Sequence, residues 1–150
     1  MSRDSLTIRG HHLLCMFGFR GFGYNTEFVR NMQGITDRFL APDALRVELT
    51  CECDDICGAC PHRRDGECRR SPDAPQRVRA RDEAVLNVLG VVQGESHESG
   101  ELHRRIAQTL CPKDLDRICA GCSWLEAGWC KAGLAALRGT GLPQPPHPGT

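Results

Sequence analysis

The pattern Ile-Cys-x-x-Cys-x7-Cys occurs twice in this chain. Ile56-Cys57-Gly58-Ala59-Cys60 is completed by Cys68, and Ile118-Cys119-Ala120-Gly121-Cys122 by Cys130. Asp54-Asp55 precedes the first copy and Asp116-Arg117 the second. Two residues between cysteines turn both sulfurs toward one point, and a third cysteine at a fixed distance points to a metal or cluster held by thiolates. The remaining residues are read around these six sulfurs.

With 150 residues, the chain has the length of one ordinary domain and can bury roughly 70% of its unfolded surface. It does not depend on crosslinks for size, so its ten cysteines are a statement about chemistry. The N-terminal stretch has no uninterrupted apolar run of the kind a leader needs, and no segment approaches membrane-spanning length. The expectation is a cytoplasmic, reducing location, where this cysteine pattern signifies metal binding or catalysis more than disulfides. Nineteen basic side chains balance nineteen acidic ones, so bulk charge favours neither nucleic acid nor membrane.

In chain order, residues 4–9 alternate briefly as a short strand would. Arg9-Gly10-His11-His12-Leu13-Leu14-Cys15 follows. On a helix, His11 and Cys15 stand at i and i+4, and His12 and Cys15 at i and i+3, so either pair can face one site; a core cysteine at a helix start is the plainer reading. Gly18, Gly21 and Gly23 are interleaved with Phe17, Phe19, Phe22 and Tyr24, a pattern that matches no phosphate loop. It suits either an aromatic jacket around a buried cofactor or ordinary core packing. Apolar positions recurring up to Pro42 predict a helix over 26–40. Strict alternation from Leu45 to Cys53 predicts a half-buried strand with Cys51 and Cys53 on the same face as Leu49.

Residues 61–70 read as a polar loop around Cys68. Between His62 and Arg81 seven arginines face three acidic residues. That excess suits a solvated face, compensation of a thiolate-rich cluster, or contact with nucleic acid. Helices are predicted over 75–89 and 101–110, with a connector of Gly, Ser, His and Glu over 94–100 between the halves. A further helix starts at Pro112, and another covers 131–137. The Pro-rich stretch from Gly141 is expected to be a disordered tail.

Each repeat supplies three sulfurs, whereas an all-thiolate site takes four. Cys51, Cys53 and Cys111 are the nearest further thiols in sequence. One scheme therefore has two sites: Cys51 or Cys53 with Cys57, Cys60 and Cys68, and Cys111 with Cys119, Cys122 and Cys130. The rival is one shared site completed by Cys15, His11 or His12. Zinc accepts four cysteines directly, and iron-sulfur clusters use four thiolates around a larger inorganic core, so spacing alone leaves the metal open. Either would contribute on the order of 10 kcal/mol to folding.

Several motifs in order resemble one family. They are Arg9-Gly10-His11-His12-Leu13-Leu14-Cys15; Gly21-x-Gly23-Tyr24 with Phe28 and Asn31; Asp54-Asp55-Ile56-Cys57-x-x-Cys60-Pro61; and Cys119-x-x-Cys122-x-Trp124 with Gly128-Trp129-Cys130. Over roughly residues 5–138 the chain is similar to DUF1284, a family of small bacterial and archaeal proteins. The resemblance implies iron-sulfur binding, with Cys57, Cys60, Cys68, Cys119, Cys122 and Cys130 as ligands and His11, His12 and Cys15 as a further motif. Cys51, Cys53 and Cys111 are not fixed by the family pattern.

The resulting expectation is an α+β, α-rich fold in which short helices and a two- or three-stranded sheet surround the Cys-rich site or sites. A single domain covers residues 1–140, with pseudo-repeats at about 45–93 and 101–138. The expected function is binding of one or two clusters, of 4Fe-4S type, for electron transfer or accessory redox chemistry with a redox partner protein. A zinc-stabilised interaction module is the alternative, and a cluster-dependent enzyme with an open iron, assisted by His11 or His12, is a second.

Overall fold

The computed structural model describes residues 5–41 and 45–140. The sequence-predicted tail from Gly141 lies outside the described residues. The fold is helix-rich with a small sheet, as expected of an α+β chain.

Strand β1 (Ser5–Arg9) runs parallel to β2 (Arg46–Thr50), with Leu6 opposite Val47 and Ile8 opposite Leu49. All four of these side chains are buried, so the alternation read up to Leu49 is the buried face of the sheet; the strand ends at Thr50, and Cys51 and Cys53, predicted to lie on it, follow in the irregular segment beyond. A third strand, β5 (Ser96–Glu98), pairs antiparallel with β2. It falls within the stretch read as a connector. Three polar residues give no apolar alternation to detect, and the strand exists through its pairing with β2.

Between β1 and β2 lie α1 (His12–Gly18) and α2 (Thr26–Leu40). The α2 helix starts where the sequence predicts, because the Asn25 side chain accepts a hydrogen bond from the Phe28 backbone N–H at 2.8 Å, satisfying one of the first-turn donors. After β2 the chain forms a 3-10 turn (Cys57–Ala59) and a hairpin, β3 (Arg63–Arg64) and β4 (Glu67–Cys68). Asp65 and Gly66, with φ of 53° and 75°, make the turn, the left-handed pair that a two-residue hairpin needs.

Helix α3 (Ala74–Leu89) has a proline in its first turn and ends on Gly90 at φ 72°. The second half holds α4 (Ser99–Thr109), α5 (Leu115–Ile118), α6 (Ser123–Glu126) and α7 (Trp129–Thr140). The last is longer than the sequence-predicted 131–137. Phe17, Phe39 and His103 meet edge to face at the core, with ring centroids 4.7–5.8 Å apart.

Helices α1 and α7 approach unusually closely. A Cβ on Gly133 would lie 1.9 Å from the Phe17 carbonyl oxygen, and one on Gly18 would lie 2.6 Å from Cys130 Sγ. Only glycine permits that contact, and it brings the start of the chain against the last cysteine.

Candidate metal centre

Parallel pairing of β1 with β2 places the C-terminal ends of both strands at one edge of the sheet. The Arg9–Cys15 segment leaves β1 there, and the Cys51–Cys60 segment leaves β2. Asp54 and Asp55 tie the two exits together. Asp55 accepts from the Thr7 backbone N–H at 2.8 Å, and its own N–H donates to the Thr7 carbonyl. Asp54, fully withdrawn from water, accepts from the Arg9 N–H at 2.7 Å and the Cys57 N–H at 3.0 Å. The acidic pair before the first Cys-x-x-Cys is therefore an anchor. Its counterpart Asp116 instead pairs with Lys131 at 2.7 Å, so the two copies share spacing and differ in support.

Arg9 is buried against the first copy. Its Nε donates to Asp82 Oδ2 at 2.7 Å, Nη2 to the Cys51 carbonyl at 3.3 Å, and Nη1 reaches Cys57 Sγ at 3.7 Å and Cys53 Sγ at 3.9 Å. Arg9, Cys51, Cys53, Cys68 and Arg79 line one shallow, open cleft. Burial pushes the Cys60 thiol up, and Cys68 and Cys53 add to the effect. Burial likewise raises Cys57, with Asp54 and Cys53 contributing. Cys53 and Cys57 share the Arg9 guanidinium, Cys53 and Cys68 share the cleft, and the Cys60 N–H donates to the Cys57 carbonyl, so these four thiols lie in one neighbourhood. Cys51, which lines the same cleft, is pushed up to about 11 by burial and by Asp82 and Glu83.

The second copy gathers around α1. Burial raises the Cys15 thiol well above its ordinary value, and Cys130, Cys119 and Cys122 raise it further while Arg81 opposes them. Cys130 is pushed up to about 12 by burial, Cys122 and Cys119, and Cys119 to about 11 by burial with Cys122, against Arg81. With α1 packed on Cys130 and the Cys122 N–H donating to the Cys119 carbonyl, Cys15, Cys119, Cys122 and Cys130 are the second group of neighbouring thiols. Cys111 stands apart from it, its Sγ donating to Asp114 Oδ2 at 3.3 Å in a cap at the Pro112–Asp114 turn. All ten cysteines are free thiols.

His11 and His12 lie side by side at the start of α1, ring centroids 4.3 Å apart. His11 Nδ1 is 2.6 Å from Asp82 Oδ1, and His12 Nδ1 is 2.9 Å from Asp54 Oδ2. Hydrogen bonds from the histidines and Arg9 hold both carboxyls below the usual carboxylate range despite burial. Ionised, they only accept, so each imidazole carries its proton on Nδ1. Burial pushes His11 down to about 4, with His12 adding to the effect. Asp82, in mid-helix on α3, had no sequence signature. The Asp65-Gly66 hairpin did, within the stretch read as a loop.

His12, Asp54 and Cys57 offer three ligand atoms within 4.8 Å of one another. With ten cysteines, this equips the chain for a metal cofactor. A family model described as protein of unknown function (DUF1284) matches residues 23–128. The chain belongs to the DUF1284 family. The match takes in Asp54-Asp55, the first Cys triplet and Cys119-x-x-Cys122; Arg9–Cys15 and Trp129-Cys130 lie outside it. No curated protein and no solved structure matches the chain. Among the described residues, no helix is long and apolar enough to cross a membrane.

Proposed function

We propose that this DUF1284 protein binds two iron-sulfur clusters of 4Fe-4S type, one on Cys53, Cys57, Cys60 and Cys68 and one on Cys15, Cys119, Cys122 and Cys130, and that it transfers electrons. The observation that carries the reading is the gathering of thiols into two neighbourhoods, one around Arg9 and its cleft and one where α1 meets Cys130, each able to offer the four cysteines a cubane cluster takes.

Four thiolates suit either a zinc ion or a cubane cluster, and the family resemblance tips the choice to the cluster. When bound, each cluster would supply a reversible one-electron step. The chain's own residues set its surroundings. Arg9 brings a buried positive charge to the first set, Arg81 a half-buried one to the second, and Asp82 holds Arg9 in place. The raised thiols stay protonated near neutral pH until a cation or cluster ionises them, so loading releases protons.

A single zinc at His12, Asp54 and Cys57 is the second reading, favoured by their proximity. Against it, Asp54 Oδ2 is already engaged by the Arg9 N–H and His12 Nδ1. Anaerobic purification followed by metal and acid-labile sulfide analysis separates the two. Brown protein with iron and sulfide in equal amounts supports the cluster reading; colourless protein with only zinc refutes it.

A further inference from the structure

Outside the thiol sets, exposed aromatic and cationic groups form one continuous surface above both of them. Phe22 and Tyr24, 48% and 46% exposed, are large apolar side chains left open to water. Phe22 stacks on Trp129 with ring centroids 5.4 Å apart, next to Cys130 of the second set. Tyr24 packs edge to face on His62 at 4.6 Å and accepts a hydrogen bond from Arg70 Nη1 at 2.8 Å, beside Cys68 of the first set. Arg63, Arg64 and Arg69 extend the surface along the hairpin, all exposed, with Asp65 and Glu67 as the opposing charges.

Resting on the cluster reading above, we propose that this surface is the docking face for an acidic electron-transfer protein. Three considerations select that occupant. The arginines are complementary to a carboxylate-rich patch, and such complementarity speeds encounter. Aromatic and arginine side chains are the groups enriched at protein interfaces, where they supply most of the binding energy. The face lies over both thiol sets, so a partner seated there approaches either. Nucleic acid fits less well, because the hairpin interleaves acidic residues and the whole chain has no net charge. The step is a one-electron transfer, in which the reduced acidic carrier is oxidised and a cluster on this protein is reduced, with no bond made or broken.

The test uses the cluster-loaded protein with a reduced acidic plant-type ferredoxin as probe, followed by stopped-flow absorbance. The expected result is a second-order rate constant that falls as salt is raised and drops about tenfold or more in the Arg63→Glu/Arg64→Glu variant. Arg104→Glu on α4 should leave the rate unchanged, and dithionite should reduce all three proteins equally. A double variant within twofold of the parent rate, a faster reaction with a basic carrier than with ferredoxin, or tighter binding of a single-stranded oligonucleotide than of ferredoxin would overturn the proposal. A brown preparation that fails these tests overturns the docking face alone; a colourless preparation overturns it together with the cluster reading.

Discussion

Arg9 and Asp82 form an ion pair 2.7 Å long with both side chains withdrawn from water, and the far edge of the same guanidinium faces Cys53 and Cys57. A buried pair is weak evidence for net stability, but breaking one is costly because the partner's charge is stranded. Here Asp82 also holds His11, so one carboxylate orders an arginine for the first thiol set and the histidine that opens α1.

Arg9→Met should therefore lower folding stability by about 3–5 kcal/mol, measured by denaturant unfolding of the reduced, metal-free protein. In loaded protein the same change should move the first cluster's midpoint potential to more negative values. Reduction adds negative charge, and the nearby positive charge that favours it would be gone. Redox titration checks the direction.

Gly133→Ala should impair the second set and spare the first. Its new methyl would meet the Phe17 carbonyl at 1.9 Å, and a backbone atom cannot yield as a side chain can. Separating α1 from α7 moves Cys15 away from Cys130. The expected outcome is a loss of about 1–3 kcal/mol and roughly half the bound iron, read by unfolding and iron analysis. Gly34→Ala on α2, where a Cβ meets nothing within 4 Å, is the control and should raise stability slightly.

Metal-free protein should be most stable near neutral pH and weaken on both sides. Cys119 and Cys130 titrate at about 11 and about 12 in the fold, against 9.0 ordinarily. Above pH 9 the unfolded chain therefore loses protons that the folded chain keeps, and stability falls as pH rises. His11 and His103 are held near 4, against 6.5 ordinarily. Between about 6.5 and 4 the unfolded chain binds protons that the folded chain does not, and stability falls as pH drops. Denaturant midpoints across pH 5–10 under reductant measure both arms. His103→Phe should shrink the acid arm, because burial among Phe17 and Phe39 is what disfavours the charged ring.

Much of this was legible in the sequence. Apolar spacing located α2, alternation located β2, and the repeated cysteine spacing picked out six of the eight thiols proposed here as ligands. The proposed fourth thiol of each set was not legible, for a physical reason. Cys51, Cys53 and Cys111 are all near a repeat along the chain, yet Cys51 is buried just past the end of β2, and Cys111 caps a turn with Asp114. Cys15 is more than one hundred residues before Cys119, and only the glycine contact between α1 and α7 brings it to the second set. Sequence proximity says little about a fourth ligand when the ligand arrives on a separate helix. The roles of Asp54 and Asp82 were equally hidden, since a charged residue in a loop or on a helix reads as solvated until its partners are placed.

The two sets of four are tested most directly by iron and acid-labile sulfide per chain in anaerobically purified parent protein and four single variants. The parent should carry about eight of each, the content of two 4Fe-4S clusters. Cys15→Ser and Cys53→Ser should each hold about half as much, and Cys51→Ser and Cys111→Ser the full amount. Full loading in Cys15→Ser together with halved loading in Cys111→Ser would contradict the assignment of Cys15 to the second set, and absence of iron from the parent would contradict the cluster reading itself.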